Sequence, residues 1–145
     1  MQPKIVTAKS LKETLSPEQC YVCENWSSKN VSIARARVRA GVTTKAHHLV
    51  GVDEIYLVVK GEGKVKIGEL EATEVKAGDT VFIPAGVSER ITNSAKSDLI
   101  FYCICTPKFT AKMLLRRRGN HPTCALRLIP TAPENLEKIL LPTYK

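Results

Sequence analysis

Seven glycines, at positions 41, 51, 61, 63, 68, 78 and 86, divide the stretch from Cys20 to Cys105 into short runs rich in β-branched and aromatic residues. Short runs of that composition, bounded by turn formers, read as strands, and strands repeated at this spacing close into a barrel or sandwich. The expected strands are Tyr21 to Trp26, Val31 to Val38, Glu54 to Lys60, Gly63 to Ile67, Thr80 to Ile83, Glu89 to Asn93 and Leu99 to Cys105. Successive strand residues point to opposite faces, so Ser32, Ala34, Ala36 and Val38 share one face while Val31, Ile33, Arg35 and Arg37 share the other. The first, small face would leave a barrel interior open. The arginines either keep solvated heads over their own apolar stems or reach across a contact with a second copy.

The flanks differ from this middle. Ser10-Leu11-Lys12-Glu13 has the spacing of a helix capping box, and Pro17 should end any helix begun there. After Pro107 the strand pattern stops. Thr131-Ala132-Pro133-Glu134 again fits a capping box, predicting a terminal helix over about 132–140. The expected organisation is a lead-in over residues 1–29 with a short helix and the first strand, one barrel over 30–109, and a basic extension over 110–145. A chain of 145 residues has room for one such core.

Charge and cysteine usage bound the surroundings. The net charge is +8, but from Thr106 onward eight Lys and Arg stand against two Glu, so much of the excess belongs to the tail around Arg116, Arg117 and Arg118. No aromatic residues interleave with those arginines, so a solvated tail, with His121 on its surface, is expected in preference to a nucleic-acid surface. No apolar run approaches the ~20 residues of a membrane span. Charged residues interrupt the first fifteen positions, which therefore lack the apolar core of a secretory signal. Five irregularly spaced cysteines read as thiols, and a cytoplasmic location is expected. Cys20 and Cys23 have C-x2-C spacing without a second pair, and a strand would set their sulfurs on opposite faces.

Two long-gapped motifs carry the functional reading. Gly41, His47, Leu49, Glu54 and Gly61 stand at the spacing G-x5-H-x-H-x4-E-x6-G, with Leu49 in place of the second histidine. Gly78, Pro84, Gly86, Glu89 and Asn93 stand at the spacing G-x5-P-x-G-x2-H-x3-N, with Glu89 in place of the histidine. In order and spacing these residues resemble the two motifs of the cupins, over roughly residues 30 to 109. The resemblance implies a double-stranded β-helix, or jelly-roll barrel, with short terminal helices. It also implies inward-pointing carboxylates at Glu54 and Glu89, and commonly a homodimer.

In the cupins, the histidines and glutamate of the first motif and the histidine of the second hold a divalent metal. Both departures here, Leu49 and Glu89, fall on ligand positions, while the scaffold glycines and proline remain. The set that the resemblance leaves is His47, Glu54 and Glu89, with His48 entering only if a bulge turns it inward. One imidazole and two carboxylates suit manganese, iron(II) or zinc. Glu54, Glu89 and Tyr56 are the candidates for proton transfer in a small-molecule reaction of oxygenase, isomerase, decarboxylase or lyase type. The other reading is a barrel that binds a small molecule without chemistry. In that reading His47 is a hydrogen-bonded interior residue, Glu54 pairs with an arginine such as Arg90, and Glu89 contacts the ligand. Cys103, Cys105, Tyr56 and Phe101 line the cavity or fill the core.

Overall fold

The computed structural model describes residues 2–116. In chain order its strands are β1 (Thr14–Leu15), β2 (Tyr21–Ser27), β3 (Ser32–Val38), β4 (His47–Leu49), β5 (Asp53–Lys60), β6 (Glu62–Ile67), β7 (Thr73–Lys76), β8 (Thr80–Ile83), β9 (Glu89–Thr92), β10 (Leu99–Thr106) and β11 (Leu114–Arg116). They form two antiparallel sheets, ordered β1-β2-β3-β10-β5-β8 and β11-β4-β9-β6-β7. Each of the seven expected strands is present, with ends shifted by at most one residue.

The core lies between the sheets. Val38, Val58, Leu99 and Phe101 of the first sheet pack in one cluster with Val65 and Ile91 of the second. Ile91, Leu99, Val38 and Val58 are almost completely buried, and each such side chain stabilises the fold by roughly 1.5–3 kcal/mol relative to exposure. The alternation in β3 has the expected sense. Ser32, Ala34 and Ala36 line an interior cavity, while Ile33, Arg35 and Arg37 belong to the outer face.

The motif residues that are not candidate ligands hold this scaffold. Buried Asn93 donates its side-chain amide to the carbonyls of Val38 and Ser97 and accepts from the Ala95 N–H. Its own carbonyl accepts from the N–H of Gly41, joining the two motifs. Gly61 turns β5 into β6 at φ +80°, and a Cβ there would lie 2.7 Å from the carbonyl oxygen of Asp98. Both the left-handed conformation and the close approach require glycine.

Two expectations about the flanks change. No α-helix starts at Ser10. A single 3-10 turn spans Ala8–Ser10, and the Ser10 hydroxyl donates back to the Thr7 carbonyl at 2.8 Å instead of capping a following helix. Glu13 is drawn away to Arg37 and Arg35, at 2.7 and 3.1 Å, and two guanidinium partners outweigh one helix N-terminus. The chain then continues as edge strand β1 on β2. The arginines thus meet an acid of their own chain. Beyond Pro107 the chain makes a second 3-10 turn, Ala111–Met113, and then β11, paired with β4. A three-residue edge strand forms through its partner and leaves no period of its own. The helix expected over 132–140, with Arg117, Arg118 and His121, lies outside the described residues.

Candidate metal centre

Three strands deliver the centre. β4 and β9 pair so that His47 stands directly opposite Glu89, and facing residues of an antiparallel pair project to the same side. Glu54 comes from β5 in the other sheet, and within β5 it alternates with outward Ile55 and shares a face with Tyr56 and Val58. One ligand atom from each of His47, Glu54 and Glu89 lies within 4.8 Å of the others. Glu54 and Glu89 are 6% and 1% exposed, so these are core carboxylates.

The hydrogen bonding around them is incomplete. The ring Nδ1 of His47 lies 3.0 Å from the carbonyl of Lys45. A carbonyl only accepts, so Nδ1 carries the hydrogen, and in the neutral ring Nε2 presents a lone pair. That Nε2 faces Glu89 Oε1 at 3.4 Å. Glu54 Oε1 accepts only a long contact, 3.7 Å, from the Cys105 thiol. Glu54 Oε2 and both oxygens of Glu89 are buried without a hydrogen-bond donor. Leaving a buried polar atom unpartnered costs about 1–3 kcal/mol, and more when it is charged.

Electrostatics follow from the geometry. Burial, and then the charge of Glu54, push Glu89 well above the usual carboxylate range. Burial, and then Glu54 and Glu89, keep the Tyr56 phenol protonated far above its ordinary value. The same causes raise the thiols of Cys103 and Cys105, burial first and Glu54 next. Burial likewise pushes Cys20 up to about 12. The four described cysteines are free thiols, and burial keeps those of Cys20, Cys103 and Cys105 protonated.

The centre opens on a cavity of about 420 Å³ whose wall is largely apolar, including Ala34, Ala36, Ile91 and Phe101. Tyr56 and Phe101 both line it, their rings tilted at 46° with centroids 4.5 Å apart. Cys20, Cys103 and Cys105 line it as well. Leu49 does too, and packs with Val52 and Cys105 where a further imidazole would stand. His48, between His47 and Leu49, is outside both the ligand group and the cavity wall, because regular β4 turns alternate residues away. Arg90 is exposed and alternates away from Glu89, so it does not serve as an interior partner for Glu54. Several wall residues went unforeseen, among them Thr14, Pro17, Glu18, Thr44 and Phe109. Glu18, buried beside the cavity, belongs to the turn between β1 and β2, where Gln19 takes a φ of +71°. A turn has no period from which an inward direction could be read.

The family model for the cupin domain matches residues 34–105. The chain belongs to the cupin superfamily. Uncharacterized protein MJ1618 of Methanocaldococcus jannaschii is 33% identical over 79 residues, which are 54% of this chain and 62% of the relative. Matches to curated relatives span only 62% and 57% of their lengths. Among solved structures, a predicted oxalate decarboxylase from Thermotoga maritima is similar with a TM-score of 0.65 and 23% identity, over 72% of this chain and 99% of that one. Streptomyces Pac13, a nucleoside dehydratase, is similar with a TM-score of 0.68 and 15% identity, over 81% and 92%. At these identities the structures show a shared cupin jelly roll. Within it, the cluster His47, Glu54 and Glu89 fits a divalent-metal site.

Proposed function

We propose that this cupin binds one divalent ion through His47 Nε2 and the carboxylates of Glu54 and Glu89, and that it transforms a small oxygen-bearing molecule held in the cavity. The observation that carries this reading is the set of donorless buried oxygens, Glu54 Oε2 and Glu89 Oε1 and Oε2, converging on an imidazole nitrogen oriented by the Lys45 carbonyl. A cation satisfies all of them at once. Two carboxylates would neutralise a divalent charge, and the mixed nitrogen and oxygen set suits manganese, iron(II) or zinc. Bound there, the ion would supply Lewis-acid or oxygen-activating chemistry. The protein's own part is to exclude water with the apolar wall, to orient the substrate against Phe101, and to hold a proton on Tyr56. The reaction belongs to the oxygenation, isomerisation, decarboxylation or lyase classes.

A second reading is favoured by Leu49, whose buried side chain removes one donor, and by Glu89, whose raised proton affinity lets it hold a proton facing His47. In that reading the cavity binds a neutral molecule without metal. Elemental analysis of protein purified without chelator and then supplemented with manganese, iron(II) or zinc separates the two. About one equivalent, reduced severalfold in Glu54→Ala, is expected. Far less than one equivalent after supplementation would overturn metal binding.

A further inference from the structure

The chain's positive charge, +8 in all, stays out of the interior cavity. Among the described residues its wall carries no lysine or arginine, while the carboxylates of Glu18 and Glu54 stand in it. Glu89 joins Glu54 and His47 in the ligand group. Arg35 and Arg37 of β3 alternate outward and are bound there by Glu13 and Asp98. Lys45, next to wall residue Thr44, is exposed and stands outside the wall.

Of these three acids only Glu18 lies outside the ligand group. The turn that carries it is held from both sides. The Ser16 N–H donates to the Cys20 carbonyl at 2.7 Å, the Gln19 N–H donates to the Ser16 carbonyl at 3.1 Å, and the Glu18 carbonyl accepts from the Lys45 N–H at 2.9 Å. Lys45 in turn orients His47 through its own carbonyl. The main chain of Lys45 thus ties Glu18 to the ligand group, so the acid and the centre border one part of the cavity. Ser16, in the same turn, brings to the wall a hydroxyl that is buried without a hydrogen-bond partner among the described residues. A hydroxyl both donates and accepts, and a carboxylate accepts at about four positions, so both can engage a bound molecule whatever else Glu18 touches.

We propose, resting on the reading of this cavity as the substrate site, that the molecule held there bears no negative charge and gives hydroxyl or ammonium hydrogens to Glu18, which makes Glu18 a specificity-determining residue. A divalent ion at His47, Glu54 and Glu89 would be neutralised by its two carboxylates. It would leave no net positive charge to hold an anion, and the third acid can only add negative charge. Carboxylates and phosphates are ordinarily met by arginine or lysine. In this largely apolar cavity they would face Glu18 instead, where a low dielectric strengthens the repulsion. Hydroxyl and ammonium hydrogens suit a wall whose polar groups are carboxylates and hydroxyls.

Saturation-transfer NMR of the full chain supplemented with zinc tests this with glucose, glucosamine and glucuronate, which share one pyranose ring and differ in charge. Glucose and glucosamine should bind, and glucuronate should bind at least about tenfold more weakly than glucose, since like charges set together in an interface cost that much or more. Glu18→Gln should narrow the gap between glucosamine and glucuronate by about tenfold. A merely structural role would weaken all three alike. The wild-type order needs no variant, so it decides the matter if Glu18→Gln alters far-UV circular dichroism. Glucuronate binding as tightly as glucose, as would follow if arginines of residues 117–145 reached the cavity, overturns the proposal. So does binding of none of the three, or a folded Glu18→Gln that keeps the wild-type preference. Zinc content of the same samples separates this proposal from the metal reading. The expected charge order in protein that retains no zinc sinks the metal alone, and bound zinc with glucuronate preferred sinks the charge selection alone.

Discussion

Replacing Glu89 by glutamine should change stability in opposite directions with and without metal. In the metal-free protein the carboxylates of Glu54 and Glu89 bring oxygens within 4.8 Å of each other in a buried site. At an effective dielectric of about 20 their repulsion is ~3 kcal/mol. Holding a proton on Glu89 at pH 7, against the ordinary value of 4.5, costs about 3 kcal/mol as well, at 1.36 kcal/mol per pH unit. Either way the native state carries a penalty near that size. Glutamine keeps the shape and removes the charge, and its amide can donate to Glu54. Imperfect pairing of a buried amide returns ~1–2 kcal/mol of the gain. The metal-free variant should therefore be more stable by ~1–2 kcal/mol, a rise in melting temperature of roughly 5 °C for a chain this size. With metal at 100 times its dissociation constant the wild type gains about 2.7 kcal/mol, and the variant, lacking an anionic ligand, gains almost nothing. The order of melting temperatures reverses between chelator and manganese or zinc. Differential scanning calorimetry in both conditions reads this out. A variant that is no more stable in chelator, or that takes the full metal shift, refutes the reasoning.

Two further outcomes follow from other parts of the molecule. Hydrogen bonding from Arg37 holds the Glu13 carboxyl below its ordinary value of 4.5, so its contribution is present above pH 4.5 and is lost as pH falls through the folded value. Glu13→Gln should cost on the order of 1 kcal/mol at pH 7, allowing for partial solvent screening, and the difference should shrink as pH falls below 4.5; a melting-temperature gap that persists in acid would count against the ion pair. Leu49→His adds an imidazole to the cavity wall beside Cys105, the residue that touches Glu54. It should tighten metal binding by at least about tenfold while costing ~1–3 kcal/mol of metal-free stability for a buried polar ring. Chelator competition that finds unchanged affinity would show that position 49 does not face the ligand set.

What was legible in the sequence is what local period and fixed spacing encode. Period two in β3 sends Ala34 and Ala36 inward and Arg35 and Arg37 outward whatever the strand pairs with, and the structure agrees. The motif glycines and Asn93 mark the scaffold because their roles depend on backbone conformation and buried amide bonds. Pairing partners were not legible. β4 is three residues long, and its placement of His47 opposite Glu89 is a tertiary fact with no local signal. The capping box at Ser10 is a true local preference overridden by Arg35 and Arg37, which compete for Glu13 from a distant strand. The two departures from the cupin motifs also read differently in three dimensions. Leu49 takes a neutral donor away, and Glu89 replaces another neutral donor with an anion on the strand facing His47. The first change lowers the number of ligands, and the second raises the attraction of those that remain. With Glu54, the set carries the two negative charges that one divalent ion neutralises. On the proposed metal reading the two departures compensate each other at a single centre, and a bound ion would be the partner of the acid at position 89, 1% exposed, where a charge without a partner would cost the fold several kcal/mol.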